Sequence, residues 1–160
     1  MTPCIDLLKK SKIEYKVHNY AHDSSYDSYG DEAAEKLGIS TQRVFKTLVV
    51  ATDTKELVVA VIPVSSKLSM KAIAKLFGAK KASMADTHDV QKTTGYVLGG
   101  VSPIGQKKRL KTVIDSTARD YLSVFVSAGK RGLEVELRAD DLKTLTNAKF
   151  EDIKSEQKHP

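Results

Sequence analysis

The chain has 160 residues, of which 41% are apolar and 29% are charged, and its net charge is +6. These values are typical of one globular domain with a core of its own, and they exclude a disordered or collagen-like chain. No apolar run approaches the roughly 18 residues that a membrane-spanning helix requires. The N-terminal segment lacks the pattern of a secretory signal, and a single cysteine, Cys4, cannot form an internal disulfide. We therefore expect a cytoplasmic protein.

Basic residues outnumber acidic ones, with 26 Lys and Arg residues against 20 Asp and Glu residues. Cationic clusters at 80–81, 107–111 and 130–131 lie in or beside predicted loops, and two of them adjoin glycines. Cations grouped in this way favour a polyanionic partner such as RNA. A positive surplus is also a common route to solubility, so the charge alone does not decide the function.

Local signals predict the secondary structure in chain order. Capping residues and terminal glycines predict five helices, over residues 2–11, 31–37, 69–77, 87–94 and 139–145. Runs rich in β-branched residues predict five strands, over residues 46–51, 57–62, 112–114, 123–127 and 133–137. The segments TDTKE and SAGKRG are typical of hairpin turns between two pairs of these strands. Two hairpins interleaved with capped helices predict an α+β domain with an antiparallel or mixed sheet, because a doubly wound fold would alternate strands and helices regularly.

Two histidines have a spacing that is common in zinc sites. His18 and His22 are four residues apart, which places two imidazoles on one face when the segment is helical. The residues around them do not form a helical pattern, however, and Cys4 is the only thiol that could complete such a site. Because zinc needs three or four ligands, we expect no metal here.

Lys46 opens the strongly apolar strand FKTLVVA. Strict alternation places Lys46 on one face, at the margin of apolar residues, and Thr47 on the opposite face. An ammonium in this position is either an edge charge that prevents aggregation or a partly desolvated group that binds a carbonyl or phosphate oxygen. Strand position alone favours the edge charge.

The hairpin SAGKRGLEVEL brings Ser127, the basic pair 130–131 and Glu134 close together. Alternation also explains Glu134 and Glu136 as the solvent face of a half-exposed strand. A Ser- and Asp-rich loop nearer the N-terminus contains a cluster of tyrosines, Tyr20, Tyr26 and Tyr29. Such tyrosines serve either as lid packing or as stacking surfaces for a base or ribose.

The segment YVLGGVSPIGQKKR, residues 96–109, combines three glycines and a proline with three cations. Gly99, Gly100 and Gly105 can adopt backbone angles that other residues avoid, and Pro103 stiffens the chain. Such a loop is either a tight turn or a rigid cradle of backbone N–H groups for an oxyanionic ligand.

Taken in order, the segments FKTLVV, GAKK, TGYVLGGVSPIGQKKR and VSAGKRGLE resemble the YbaK family of aminoacyl-tRNA deacylases. This family is related to the editing domain of bacterial prolyl-tRNA synthetases, and the resemblance is greatest to its Cys-tRNA(Pro) deacylase branch. It covers about residues 1–153 and leaves a polar tail over 154–160. The resemblance implies a single α+β domain with a mixed, barrel-like sheet surrounded by helices.

The resemblance further implies a free-standing enzyme, without a cofactor, that removes cysteine from mischarged Cys-tRNA(Pro), and also from Cys-tRNA(Cys), beside prolyl-tRNA synthetase. The catalytic positions that it implies are Lys46, Gly99 and Gly100. The positions that it implies for substrate binding are Tyr20, Tyr29, Thr47, Val101, Ser102, Pro103, Ser127 and Glu134. Relatives often have phenylalanine at position 29 and aspartate at position 134, so these two contacts are expected to differ in this chain.

Two chemical routes remain open at this point. Hydrolysis by water requires a base, and no histidine or carboxylate of the sequence is evidently placed to provide one. In the second route, which the resemblance implies, the thiolate of the substrate's own cysteine attacks its ester. Cys4 is then expected to pack in the first turn of its helix, away from the glycine loop. The alternative functions are an editor of another mischarged tRNA, such as Ala-tRNA(Pro), by water attack and a non-catalytic tRNA-binding module.

Overall fold

The computed structural model describes residues 1–26 and 28–155, which form five α-helices, eight strands and a short 3-10 helix at Ser116–Asp120. The helices are α1 (Pro3–Lys10), α2 (Tyr29–Leu37), α3 (Met70–Leu76), α4 (Thr87–Thr94) and α5 (Ala139–Thr146). The strands are β1 (Tyr15–Asn19), β2 (Phe45–Thr52), β3 (Leu57–Pro63), β4 (Ala82–Met84), β5 (Lys111–Asp115), β6 (Val124–Lys130), β7 (Leu133–Leu137) and β8 (Lys149–Glu151). Within these described ranges, no helix has both the length and the apolar composition that crossing a bilayer requires.

Short-range signals explain where the helices begin and end. The hydroxyl of Thr2 accepts a hydrogen bond from the Ile5 N–H at 3.2 Å, which satisfies a free donor at the start of α1. Ser28 caps α2 in the same way, by accepting from the Asp31 N–H at 3.3 Å. Gly38 ends α2 in the left-handed conformation, with φ of 68°. The five predicted helices are confirmed, with ends that differ by at most two residues.

The strands form two sheets. One is antiparallel in the order β1-β7-β6, and the other is mixed in the order β4-β2-β3-β5-β8, with β5 parallel to both of its neighbours. A single bridge between Val44 and Phe125 links them. The α+β class, the mixed sheet and both predicted hairpins are confirmed. The prediction of a barrel-like sheet is wrong, because the described strands form two separate sheets and do not close into a barrel.

Three apolar clusters hold the layers together, and the largest lies between the two sheets, with contributions from α1 and α5. A second cluster packs α3 against the opposite face of the mixed sheet. The third packs Ala33 and Ala34 of α2 against Phe125 of β6, on the outer face of the antiparallel sheet. Because α2 covers this face, polar residues that share it with Phe125 are shielded from solvent.

Beyond the end of β8 at Glu151, residues on both sides of the boundary predicted at residue 153 contact the domain. Ile153 is buried, Lys154 bridges Leu68, and the Ser155 N–H donates to the Lys67 carbonyl at 2.8 Å. The remainder of the predicted tail, 156–160, lies outside the described residues, as does Asp27.

Candidate active site

A cavity of about 320 Å³ lies where the start of α2, the start of β2, the 97–101 turn and the β6–β7 hairpin meet. Eight of the eleven residues predicted for the site line it: Tyr20, Tyr29, Lys46, Thr47, Gly99, Val101, Ser127 and Glu134. Six further residues complete the wall: Ser28, Gly30, Phe45, Leu48, Leu98 and Lys130. The fold therefore brings together residues that are up to 114 positions apart in the chain.

Lys46 lies in this cavity as a half-buried ammonium on β2. Burial lowers the pKa of Lys46, and the nearby charge of Asp31 acts in the opposite direction. No described residue accepts a hydrogen bond from the Nζ atom or forms an ion pair with it. A cation that is partly desolvated and unpaired is available for an oxygen of a bound ligand.

The next residue, Thr47, has a hydroxyl oxygen that is buried and has no hydrogen-bond partner within the described part of the chain. Buried polar atoms are almost always hydrogen-bonded, since an unmet donor or acceptor costs about 1–3 kcal/mol. Thr47 lines the cavity, so its missing partner is consistent with a ligand that supplies one.

Glu134 is the third unusual polar group of the cavity. Its side chain is only 6% exposed, and no hydrogen bond or ion pair joins its carboxyl to another described residue. Burial alone raises the pKa of Glu134 to about 8, so the group is largely protonated at neutral pH. The expectation of a half-exposed strand is wrong for Glu134, because α2 and the segment around Tyr20 cover that face of β7.

Two hydroxyl groups lie near this carboxyl. Ser127 faces Glu134 across the β6–β7 ladder, and its oxygen accepts a hydrogen bond from the Gly129 N–H at 3.2 Å. Burial and the nearby Glu134 carboxyl raise the pKa of Tyr20 to about 12, which keeps its phenol protonated. Both groups can therefore act as neutral hydrogen-bond donors to a ligand.

The 97–101 turn closes the cavity through Gly99. This glycine has φ of +86°, and a Cβ added to it would lie 2.6 Å from Cε2 of Tyr29 and 2.8 Å from Nε of Arg131. The absence of a side chain thus allows the turn to pack directly against the Tyr29 ring. Neither the Gly99 nor the Val101 N–H donates to another described residue, so both amides of the wall remain free for an acceptor.

Three of the predicted residues are not in the cavity. The Gly100 N–H is used within the turn, where it donates to the Val97 carbonyl at 3.0 Å. Ser102 is fully buried, and its hydroxyl accepts from the Ile104 N–H. Pro103 faces a separate cavity of about 480 Å³ beside α1. Of the predicted glycine loop, only Gly99 and Val101 line the cavity.

The two histidines that were considered as zinc ligands do not share a site. The imidazole of His18 pairs with Glu136 at 3.0 Å and that of His22 with Glu32 at 2.7 Å, so the two rings have different partners. No cluster of metal-ligating side chains occurs among residues 1–26 and 28–155.

Cys4 is fully buried in the first turn of α1, as expected for a packing role. The expectation that it lies away from the glycine loop is wrong, because its backbone nitrogen would lie only 3.0 Å from a Cβ added to Gly105. Burial nevertheless raises the pKa of Cys4 to about 11, so the thiol stays protonated and unreactive.

The site therefore combines an unpaired ammonium, a protonated carboxyl, an unpartnered hydroxyl and two free amides, without a nucleophile paired with a base among the described residues. This set can bind and polarise an ester or a ribose through hydrogen bonds and charge. The resemblance found eight of its residues. The lining residues Gly30 and Leu98 have no sequence signal of their own, since small or apolar residues are common in any wall.

The fold and the site together define a small α+β domain with a polar pocket whose walls come from strands of both sheets. The chain matches the family model of the aminoacyl-tRNA editing domain over residues 24–145. It is also 39% identical to EbsC of Enterococcus faecalis, which bears the provisional name Cys-tRNA(Pro)/Cys-tRNA(Cys) deacylase, over 98% of this chain and 94% of that protein. The chain belongs to the aminoacyl-tRNA editing domain family.

More distant relatives agree with this assignment. A proline–tRNA ligase of Lactobacillus delbrueckii is 26% identical over 88% of this chain, which corresponds to 26% of the ligase. A crystal structure described provisionally as a trans-editing enzyme for prolyl-tRNA synthetase superposes with a TM-score of 0.80 at 22% identity, covering 89% of this chain and 87% of that one. A hypothetical protein of known structure gives 0.85 at 23% identity, over 96% and 99% of the two chains. At these identities the structures support the fold alone.

Proposed function

We propose that the protein is a free-standing deacylase that removes cysteine from mischarged Cys-tRNA(Pro), and also from Cys-tRNA(Cys), in the cytoplasm beside prolyl-tRNA synthetase. The family match and the 39% identity to EbsC support the reaction class. The similarity to part of a proline–tRNA ligase supports the link to proline tRNA.

The observation that carries the mechanism is the set of polar groups in the cavity that lack protein partners. Lys46, Thr47 and Glu134 line one cavity, yet none of them is hydrogen-bonded or ion-paired to another described residue through its side chain. A hydrolase that activates water needs a base, and Glu134, the only carboxyl among the described residues that line this cavity, is largely protonated at neutral pH. These groups are better suited to hold a substrate that brings its own nucleophile.

In the proposed reaction, the thiolate of the esterified cysteine attacks the carbonyl carbon of the same residue. A C–S bond forms and closes a four-membered thiolactone, while the C–O bond to the terminal ribose breaks. The proton of the thiol ends on the ribose oxygen, so the products are the thiolactone and uncharged tRNA. Proximity of the two groups within one residue favours this step.

Each unpartnered group has a role in this scheme. The Lys46 ammonium binds the ester carbonyl or a terminal phosphate oxygen, and the Gly99 and Val101 amides donate to the same developing charge. The protonated Glu134 carboxyl and the Thr47 hydroxyl donate to the ester or ribose oxygens as charge moves there. Tyr20 and Tyr29 supply the apolar walls against which the terminal adenosine packs.

The test is a single-turnover deacylation panel on one tRNA(Pro) charged with cysteine, serine or alanine. We expect the serine and alanine esters to react at least about 100-fold more slowly, because a hydroxyl is scarcely ionised at neutral pH and a methyl group cannot attack. Comparable rates for all three would indicate water attack and an editor of broader substrate range. Binding of charged tRNA without turnover of any ester would indicate a non-catalytic tRNA-binding module.

A further inference from the structure

A second polar cluster lies beside the cavity and centres on Glu32, a carboxylate on the inner face of α2 whose side chain is 0% exposed. Its Oε1 atom is 2.7 Å from Nδ1 of His22. Its Oε2 atom accepts from the Asp23 N–H at 2.6 Å and lies 3.0 Å from Nζ of Lys36. Burial would raise the pKa of Glu32, but the hydrogen bonds from His22, Asp23 and Lys36 outweigh it and lower the pKa. The buried group is therefore an ionised acceptor with both oxygens occupied.

The donors to Glu32 belong to the segment that follows Tyr20. Lys36 also donates to the Ala21 carbonyl, and its Nζ atom lies 6.0 Å from the ring centroid of Tyr20. Three consecutive residues, 21–23, are thus attached to α2 through Glu32 and Lys36. Because Tyr20 is the next residue, this attachment fixes where its side chain enters the cavity.

The same cluster reaches the opposite wall through His22. A carboxylate can only accept, so Nδ1 of His22 carries the proton and Nε2 is left as an acceptor. Nη1 of Arg131 lies 3.4 Å from this Nε2 and donates to it. The guanidinium also donates to the Tyr29 hydroxyl and lies 4.1 Å from the centre of that ring. Arg131 and Tyr29 are the groups against which Gly99 packs.

One connected chain of contacts therefore runs from Glu32 to both tyrosines of the cavity and to the glycine turn. We propose that Glu32 is a positioning residue of the deacylase site, which holds Tyr20 through Lys36 and the adjoining residues 21–23, and Tyr29 through His22 and Arg131, without touching the substrate. The role in deacylation depends on the proposed function, whereas the attachment of segment 20–26 to α2 does not.

The substitution Glu32→Gln tests this role with little change in shape. The amide retains one acceptor oxygen and places an NH₂ group where a donor now points, so one side of the cluster must separate. We expect kcat/KM for Cys-tRNA(Pro) to fall by about tenfold to a hundredfold, as for a misplaced binding group. Glu14→Gln, at an exposed position outside the cluster, is the matched control and should behave as wild type.

A double-mutant cycle separates positioning from a general structural effect. If Glu32 acts through Tyr20, Glu32→Gln should cost much less activity in a Tyr20→Ala background than in the wild type. Multiplicative losses in the two backgrounds, or wild-type kcat/KM for folded Glu32→Gln, would overturn the proposal.

Amide hydrogen exchange provides a readout that does not depend on activity. Glu32→Gln should increase exchange in residues 20–26 while the strands keep their protection. Unchanged protection of that segment would also overturn the proposal, even if no aminoacyl-tRNA were a substrate. A wild-type protein inactive on every ester would instead reject the proposed function, and the exchange result would still decide whether Glu32 holds the segment.

Discussion

Replacement of Glu134 by glutamine is expected to stabilise the protein, even though it alters a residue of the candidate site. The carboxyl of Glu134 is buried without a partner among the described residues, and burial raises its pKa from 4.5 to about 8. Between these two values the unfolded chain releases a proton that the folded protein retains. Since the folded state then binds more protons, the free energy of unfolding must decrease as the pH rises through this range.

The size of the effect follows from the pKa difference. Each pH unit between 4.5 and 7 lowers the free energy of unfolding by about 1.4 kcal/mol, so the accumulated loss at pH 7 is about 3 kcal/mol. Glutamine has nearly the same shape and stays neutral in both states. Glu134→Gln should therefore exceed the wild type by about 3 kcal/mol at pH 7 and by less than about 1 kcal/mol at pH 5.

Urea denaturation at pH 5, 6, 7 and 8 measures this difference directly, provided that the slope with urea is the same for both proteins. Glu136→Gln is the matched control on the same strand. A hydrogen bond from Ser123, followed by the contact with His18, lowers the pKa of Glu136, so this variant should lose stability at pH 7 and recover it relative to wild type at low pH. If Glu134→Gln is no more stable than wild type at pH 7, or if its advantage does not grow with pH, the account of Glu134 as a buried neutral acid is wrong.

Five further substitutions test the site and the residues around it. Lys46→Ala should keep the fold and lose at least about 100-fold in single-turnover deacylation, and a folded variant with wild-type rate would show that Lys46 is only an edge charge. Thr47→Val removes the unpartnered hydroxyl, so urea denaturation should show equal or about 1 kcal/mol greater stability while the deacylation rate falls. Gly99→Ala should lower the deacylation rate by displacing the Tyr29 ring, and it should also lower the melting temperature because φ is +86° at this position; Gly100→Ala should lower the melting temperature because its Cβ would lie 2.8 Å from Cα of Lys130. Cys4→Ala should cost about 1 kcal/mol of stability and leave the rate on Cys-tRNA(Pro) unchanged; a rate loss without unfolding would contradict the inert thiol.

The elements that could be predicted from the sequence are those specified by neighbouring residues. Thr2, Ser69 and Gly38 mark helix ends through caps that form within four residues. The strands β1, β4 and β8 were not predicted. β4 and β8 have three residues each, and β1 is recognisable only through its pairing with β7, more than 100 positions away. Pairing of that range leaves no local pattern.

The candidate site could likewise be predicted only in part from the sequence. Alternation along β2 predicted Lys46 at the margin of an apolar face and Thr47 on the opposite face, but it could not show that both residues line one cavity. The same argument was wrong for Glu134, because alternation cannot show that another element covers the outer face of a sheet. The contacts that connect Glu32 to the cavity could not be predicted from the sequence either, because they pass through Arg131, which lies 99 positions later in the chain.

The cavity's unpartnered groups also bear on how cysteine is distinguished from similar amino acids. A wall of fixed shape separates side chains that differ by one small group only by about 1–3 kcal/mol of binding energy. In the proposed reaction the walls need not make that distinction, because only a thiol supplies an ionisable nucleophile to its own ester. Lys46, Thr47 and Glu134 then serve atoms that every aminoacyl-tRNA shares, the ester and the ribose. Side chains that bind the ester and the ribose must not be paired with one another before the substrate binds. This requirement explains why Lys46, Thr47 and Glu134 have no partners among the described residues.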